Sequence, residues 1–284
     1  MTTMVLLAVT GLGLAALYFL VASGLSLVFG LADVLNFAHG LFLSVGAYAT
    51  WIAADHMPIE LAIAVGIAVG ALTAVLVELI MIRPLYTRTI EQVLVTVGLS
   101  LAGVALLQAV FGADARPFPR LAWASGVFDI AGARVPADRF VLIGSAIAVF
   151  LGLMAFLKWT RYGLIVRAGV ENREMVTALG IDVRKAFTLV FAIGGAAAAL
   201  AGALAGIHLG TVSTATGSSL LIFAFIVVVI GGMGSVPGSA LAAVVVGVLQ
   251  QFVNYYGTAG AGDICVVALL AIVLLVRPKG LAAS

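Results

Sequence analysis

Long apolar runs, separated by short polar breaks, follow one another through almost all of the 284 residues. A helix of about 20 apolar residues crosses the hydrocarbon core of a bilayer. By that length the chain is predicted to have eight or nine spans, because one or two of the runs are candidates for half-spans or kinked helices. The runs are 4–30, 31–54, 59–81, 90–112, 139–158, 186–209, 218–236, 238–256 and 262–277. Since they are continuous and do not alternate with polar residues, they predict helices and not a β-barrel.

The composition excludes a water-soluble globule. Hydrophobic residues make up 64% of the chain and charged residues only 9%, whereas a soluble domain carries about 25% charged residues. The predicted fold class is therefore an all-α, polytopic transmembrane bundle that forms a single domain over residues 1–284. A net charge of +2 gives no indication of nucleic acid as a partner, so membrane lipid is the expected surrounding. Cys265 is the single cysteine, which excludes an intrachain disulfide.

The distribution of Lys and Arg predicts an outer N-terminus and an inner C-terminus, since basic residues concentrate in cytoplasmic loops. The remaining basic residues lie in or beside a predicted outer loop, 113–138, where three aspartates offset them. Ten of the fourteen Lys and Arg residues then lie on the inner side: Arg83, Arg88, Lys158, Arg161, Arg167, Arg173, Arg184, Lys185, Arg277 and Lys279.

The longest polar segment, 158–185, joins two predicted spans and must stand in water. Within it, Val170 to Leu179 could form a short amphipathic helix with Met175, Val176 and Leu179 on one face. Gly180 would end that helix, since glycine is favoured just beyond a helix C-terminus. Two interpretations are open: a docking surface for a partner protein, or a solvated connecting loop.

A second unusual stretch begins near residue 31. Asp33, Asn36 and His39 are three residues apart, so on a helix they would form a slanted polar row inside an apolar span. This row indicates either part of a translocation path or gate, or a buried polar network that fixes helix packing, or an interfacial start to the span. One histidine without a second group of ligands does not predict a metal site.

A third stretch, IGGMGSVPGS at 230–239, cannot continue an ordinary helix. It predicts either a cytoplasmic turn or a broken helix that lines a path, with Gly231, Gly232, Gly234 and Ser235 as candidate path residues. No Gly-Lys-Ser/Thr follows these glycines, so the chain has no recognisable phosphate-binding loop. No arrangement of catalytic residues is readable either, so an enzyme is not expected.

Two acidic residues near the break at 83–88 have a simple interpretation. Glu78 and Glu91 flank Arg83 and Arg88. Snorkelling and local pairing are sufficient to explain both carboxylates.

Five stretches, in this order along the chain, resemble the branched-chain amino acid ABC transporter permease family, and in particular the shorter of its two permease subunits. They cover nearly the whole chain, with the outer loop 113–138 the least similar part. The stretches are NFAHGLFLSVGAY (36–48), RPLYTRTIEQVLVTVGLS (83–100), RYGLIVRAGVENREMVTALGIDV (161–183), VVVIGGMGSVPGSALAAVVVGVL (227–249) and LLVRPKGL (274–281).

The resemblance implies a multi-pass protein of the bacterial inner membrane and a set of partners. A periplasmic binding protein delivers the substrate, a second homologous permease completes the path, and two cytoplasmic ATPases drive transport. ATP and Mg²⁺ would be bound by those ATPases, so no cofactor is expected in this chain, and 113–138 becomes a periplasmic loop.

The same resemblance makes 171–181 look like the coupling helix that enters a groove on an ATPase. Glu174, Ala178 and Gly180 fit the family's loose Glu-Ala…Gly pattern, with Met175 where alanine is common. Glu171 and Leu179 complete the expected ATPase-coupling residues, and 158–185 becomes the cytoplasmic coupling segment.

Two alternatives accompany this interpretation. Urea, short amides or other amino acids could be carried by the same architecture. A stand-alone secondary transporter or channel belongs to a different class and needs a complete ion-coupling site in one chain, for which Asp33 and His39 are the available residues.

Overall fold

A computed structural model describes residues 2–32, 36–86, 88–121, 123, 126–130, 132–178, 180, 183–258, 260–277 and 280–281, with the backbone alone described for 31–32 and 170–174. The described residues form ten α-helices and four short strands. In chain order these are α1 (Thr2–Ala32), α2 (His39–Ala53), α3 (Ile59–Val77), α4 (Thr89–Phe111), β1 (Arg116–Pro117), β2 (Val127–Ile130), β3 (Ala133–Pro136), α5 (Asp138–Trp159), α6 (Arg161–Ala178), α7 (Val183–Leu209), β4 (Thr211–Val212), α8 (Thr216–Gly231), α9 (Val236–Tyr256) and α10 (Ala261–Val276).

The chain is mostly helical, which confirms the predicted all-α class. Among the described residues, six helices are long and apolar enough to cross a membrane: α1, α4, α5, α7, α9 and α3 with its extension to Leu85. That extension is a π-helical turn, Glu78–Ile82, followed by a 3₁₀ turn, Arg83–Leu85. Two further apolar helices, α8 and α10, have 16 residues each. The predicted total of eight or nine spans stays a prediction.

The predicted start of the span 31–54 is wrong, because α1 runs on to Ala32 and α2 begins only at His39. Asn36 lies in the non-helical residues before α2, where its Oδ1 accepts a hydrogen bond of 3.0 Å from the backbone N–H of Ala38. Such local side-chain bonds compete with helix formation. The expected polar row at helical spacing is therefore not formed, and Asp33 lies outside the described residues.

Small residues set the closest helix contacts. α1 packs antiparallel to α9, where a Cβ added to Gly247 would lie 2.5 Å from the backbone nitrogen of Ala15, and where Gly30 meets Gly234. α3 packs antiparallel to α7 in the same manner, because a Cβ on Gly195 would overlap that of Ala74. Close backbone approach of this kind is how helices associate in lipid.

One end of the bundle holds the start of α1, the start of α5 and the end of α7, since Gly13 and His208 both contact Arg139. β1 pairs antiparallel with β4 at this end, and β2 and β3 form a hairpin within the predicted outer loop. α1 and α7 therefore run in opposite directions. Each begins a four-helix set, α1–α4 or α7–α10, in which the second helix is short, with 15 residues in α2 and 16 in α8.

Candidate translocation and coupling sites

The N-termini of the two short helices, α2 and α8, meet inside the bundle. Gly40 and Gly217 are each the second residue of their helix. A Cβ added to Gly40 would lie 2.7 Å from the carbonyl oxygen of Gly217, and one added to Gly217 would overlap the carbonyl oxygen of Gly40. Helix N-termini carry partial positive charge, and discontinuous helices of this kind surround substrate sites in transporters. The contact therefore marks a candidate position on a translocation path.

Asn36 lies beside this contact and is 2% exposed. Its Oδ1 is used by Ala38, and its Nδ2 has no hydrogen-bond partner among the described residues. Asn36 also lines a largely apolar cavity of about 140 Å³ between α1, α8 and the start of α2, together with Leu25, Phe37, Leu221, Ile222 and Phe225. A buried amide donor is thus available beside an apolar chamber.

His39 begins α2 and is fully buried. Its Nε2 lies 3.1 Å from the carbonyl oxygen of Val21 on α1, so Nε2 donates and Nδ1 is left without a partner in the described part of the chain. The hydroxyl of Ser44, one turn further along α2, is likewise buried and unpaired there. Since buried polar groups are normally paired, the start of α2 is the natural place for water or a polar substrate group.

The stretch Gly231–Ser235 lies elsewhere, at the turn between α8 and α9. Gly232 and Gly234 have φ values of 97° and 84°, a region that favours glycine. The Oγ of Ser235 accepts a hydrogen bond of 3.1 Å from the backbone N–H of Gly238 and caps α9. Of the two predicted alternatives the structure has the turn. A path role for Gly231, Gly232, Gly234 and Ser235 stays a prediction.

The predicted amphipathic helix 170–179 is the second half of a longer helix, α6, which begins directly after α5. Thr160 starts it, because its Oγ1 accepts a hydrogen bond of 2.9 Å from the N–H of Gly163. Val176 is buried, whereas Met175 is 60% exposed. These two residues, which were predicted to share one apolar face, therefore do not lie on the same side of the helix.

The expected coupling residues lie at the C-terminal end of α6. Gly180 has φ 77°, and its N–H donates to the carbonyl of Thr177 at 3.0 Å, so it follows the helix end as predicted. Ala178 is exposed. The side chains of Glu171 and Glu174, and the whole of Leu179, lie outside the described residues.

Glu78 is a buried residue that sequence reasoning explained wrongly. It is fully buried and accepts hydrogen bonds from the hydroxyls of Tyr86 and Thr188, the latter at 2.8 Å. Arg88 instead pairs with Glu91 at 3.1 Å, in the exposed local pair that was expected. Glu78 begins the π-helical turn, a feature often found at functional sites. A carboxylate inside an apolar run is the signal that the sequence offers for such a site. Its partner Thr188 is 110 residues away, and no sequence pattern indicates that the two side chains meet.

Comparison with known proteins gives a consistent result over nearly the whole chain. The family described as "Branched-chain amino acid transport system / permease component" matches residues 7–276. The high-affinity branched-chain amino acid transport system permease protein LivH of Escherichia coli K12 is 29% identical over 95% of this chain and 92% of its own length. The high-affinity branched-chain amino acid transport system permease protein BraD of Pseudomonas aeruginosa is 29% identical over 96% of this chain and 94% of its own length. The fructose import permease protein FruF of Bifidobacterium longum is 27% identical over 94% of this chain and 76% of its own length. No solved structure matches the chain significantly.

Proposed function

Because the chain belongs to the family of branched-chain amino acid transport permease components, we propose that it is a membrane-spanning subunit of a binding-protein-dependent ABC importer for branched-chain amino acids. The observation that carries this proposal is the family match over residues 7–276, supported by relatives that align over more than nine-tenths of both chains. The protein is a multi-pass protein of the inner membrane and a transport subunit.

The partners follow from the importer architecture. A periplasmic binding protein delivers the amino acid, a second homologous permease completes the path, and two ATPases hold ATP and Mg²⁺. The topology that fits this arrangement has nine crossings, with α2, α8 and α10 added to the six long helices, an outer N-terminus and an inner C-terminus. It is supported by the concentration of Lys and Arg around α6 and by the opposite directions of α1 and α7.

Coupling starts at α6, which this topology places on the ATPase side. Closure of the ATPases displaces α6, which ends at Ala178, and α7 is the next helix along the chain and begins at Val183. α7 carries Thr188, which is bonded to Glu78 on the extension of α3. Displacement of α6 therefore reaches both members of the α3/α7 pair, and through them α2, which packs on both. The contact between Gly40 and Gly217 then changes, which opens or closes the path beside Asn36 and His39.

Transport is tested by ATP-driven uptake of radiolabelled leucine into proteoliposomes that hold this chain with its partner permease and ATPases, with binding protein added. We expect uptake to require both ATP and the binding protein, with competition from isoleucine and valine. ATP-dependent uptake of urea alone would keep the architecture and change the substrate. Uptake by this chain without ATPases would overturn the importer and favour a stand-alone transporter.

The coupling assignment has its own test in the same vesicles. Glu174→Lys reverses a charge in the segment that faces the ATPase, so less leucine should be imported per ATP hydrolysed, while the complex still assembles. Full transport by this variant would contradict the assignment.

A further inference from the structure

Three polar side chains meet at the end of the bundle opposite α6. Asp138 and Arg139 begin α5, and His208 lies at the end of α7. The Nδ1 of His208 is 2.7 Å from Oδ2 of Asp138, and Nη1 of Arg139 is 3.7 Å from the same oxygen and contacts the His208 ring. α1 supports the aliphatic part of Arg139, because a Cβ added to Gly13 would lie 2.9 Å from its Cδ. The cluster is therefore held in place by three helices.

These side chains line a cavity of about 290 Å³ under the β2–β3 hairpin. Asp138 and Arg139 keep side-chain exposures of 18% and 21%, so both reach the cavity without being fully solvated. The rest of the lining is mixed. Leu121 and Ile207 are buried apolar residues, and the exposed Arg120 stands at the rim. The cavity thus combines a carboxylate, two guanidinium groups and an aliphatic wall.

The charges of this cavity are not balanced internally. Arg139 shares the single carboxylate of Asp138 with His208, and its buried Nε has no partner among the described residues. In the described part of the chain, no carboxylate lies within 4.0 Å of Arg120. Two guanidinium groups therefore face one carboxylate. Guanidinium groups bind carboxylates through charge-assisted, often bidentate, hydrogen bonds, so a ligand carboxylate in this cavity would find guanidinium donors that the described residues leave incompletely paired.

We infer that this cavity is a receiving site for the zwitterion of an aliphatic α-amino acid, occupied between release from the binding protein and passage into the bundle. Arg139 and Arg120 bind the carboxylate, Asp138 accepts hydrogen bonds from the ammonium group, and Leu121 and Ile207 contact the aliphatic side chain. The assignment rests on the proposed function, because it takes this end of the bundle as the outer one. It places the first contact with substrate far from α6 and before the α2/α8 contact.

The test is photo-crosslinking with photo-leucine, a diazirine analogue, loaded on the binding protein and added to the complete importer in proteoliposomes. We expect labelled peptides to map to the cavity wall around Leu121 and Ile207. Excess leucine should compete with the label, and leucinamide, which lacks the carboxylate, should compete about tenfold less well, the factor expected for one charge-assisted hydrogen bond. Labelling confined to other parts of the chain, or equal competition by leucinamide, would overturn the site.

Matched variants separate recognition from folding. Arg139→Gln and Arg120→Gln should each lower the labelling about tenfold. Arg134→Gln should leave it unchanged, because Arg134 is exposed on β3 of the same loop and does not line the cavity. Arg120 is exposed, so its variant is testable even where Arg139→Gln reduces folding. Unchanged labelling in Arg120→Gln and in a folded Arg139→Gln would contradict the proposal. Normal leucine uptake by the unmodified importer with no label in the cavity would contradict only the receiving site. Absence of uptake would contradict the proposed function.

Discussion

Thr188 on α7 donates a hydrogen bond of 2.8 Å to the carboxylate of Glu78, at the point where α3 changes from an α-helix to a π-helical turn. Glu78 is fully buried, and the described residues give it hydroxyl partners and no cationic one. A buried carboxylate depends on such donors. The bond therefore ties α7, the helix that follows α6, to the π-helical turn of its antiparallel neighbour α3.

Thr188→Val should destabilise the protein, because it removes one donor to a buried carboxylate at nearly constant volume. The expected loss is about 1.5–3 kcal/mol, the usual value for a hydrogen bond to a charged group. Thr188→Ser keeps the hydroxyl and serves as the control. Thermal unfolding of the purified protein in detergent measures both variants. Equal midpoints for the valine and serine variants would show that the bond contributes nothing to stability.

Gly40→Ala should disrupt the contact between α2 and α8, since the new Cβ would lie 2.7 Å from a backbone oxygen of Gly217. Backbone cannot give way as a flexible side chain does, so we expect leucine uptake to be lost. Gly144→Ala on α5 is the matched control, because nothing lies within 4 Å of the added Cβ. Alanine in an open helical position should be neutral or stabilise by up to about 1 kcal/mol. Similar uptake by the two variants would contradict a close contact at Gly40.

Gly180→Ala should weaken coupling through the backbone alone. Gly180 has φ 77°, and an added Cβ there meets nothing within 4 Å. The left-handed conformation costs an alanine about 1–2 kcal/mol, which shifts the end of α6. Leucine imported per ATP hydrolysed should fall. Gly180→Asn should retain more transport than Gly180→Ala, because asparagine tolerates this conformation better. The reverse order would exclude the backbone explanation.

Substitution can distinguish a structural role of Asn36 from a role in contact with the substrate. Asn36→Asp keeps an oxygen that can accept the hydrogen bond from Ala38 but removes the Nδ2 donor that faces no described partner. Asn36→Ala removes both, and loss of such a local hydrogen bond costs about 1 kcal/mol. If Asn36 contacts the substrate, both variants should transport leucine poorly while the complex assembles normally. Normal transport by the aspartate variant, or failure of assembly in both, would assign Asn36 a structural role.

The sequence predicts helix boundaries well wherever hydropathy changes sharply. The predicted run 90–112 corresponds to α4 at Thr89–Phe111, because apolar length directly reflects the thickness of the bilayer. Hydropathy placed the start of the run 31–54 too early, since the chain is non-helical at 36–38 without becoming strongly polar, and the local bond of Asn36 competes with helix formation there.

Long-range polar pairs were beyond sequence reasoning. Asp138 and His208 are 70 residues apart, and helices that are apolar on all sides give no periodic signal for which face meets which. The coupling role of α6 is implied by resemblance alone and stays a prediction, whereas the cavity beside Asp138 is lined partly by the loop 113–138, the part least similar to the family. Its charged residues were interpreted only as counter-charges in an outer loop.

The opposite directions of the α1–α4 and α7–α10 sets have a thermodynamic consequence. If one set tilts against the other, exchanging the roles of the two sets gives a second arrangement with nearly the same contacts, open to the opposite side of the membrane. The two arrangements then differ in free energy through every position where the sets differ, such as His39 at the start of α2 and Thr216 at the start of α8, and through α5 and α6, which belong to neither set. Where that gap is no more than a few kcal/mol, differential binding of the same size, applied at α6 alone, is enough to reverse the populations of the two arrangements.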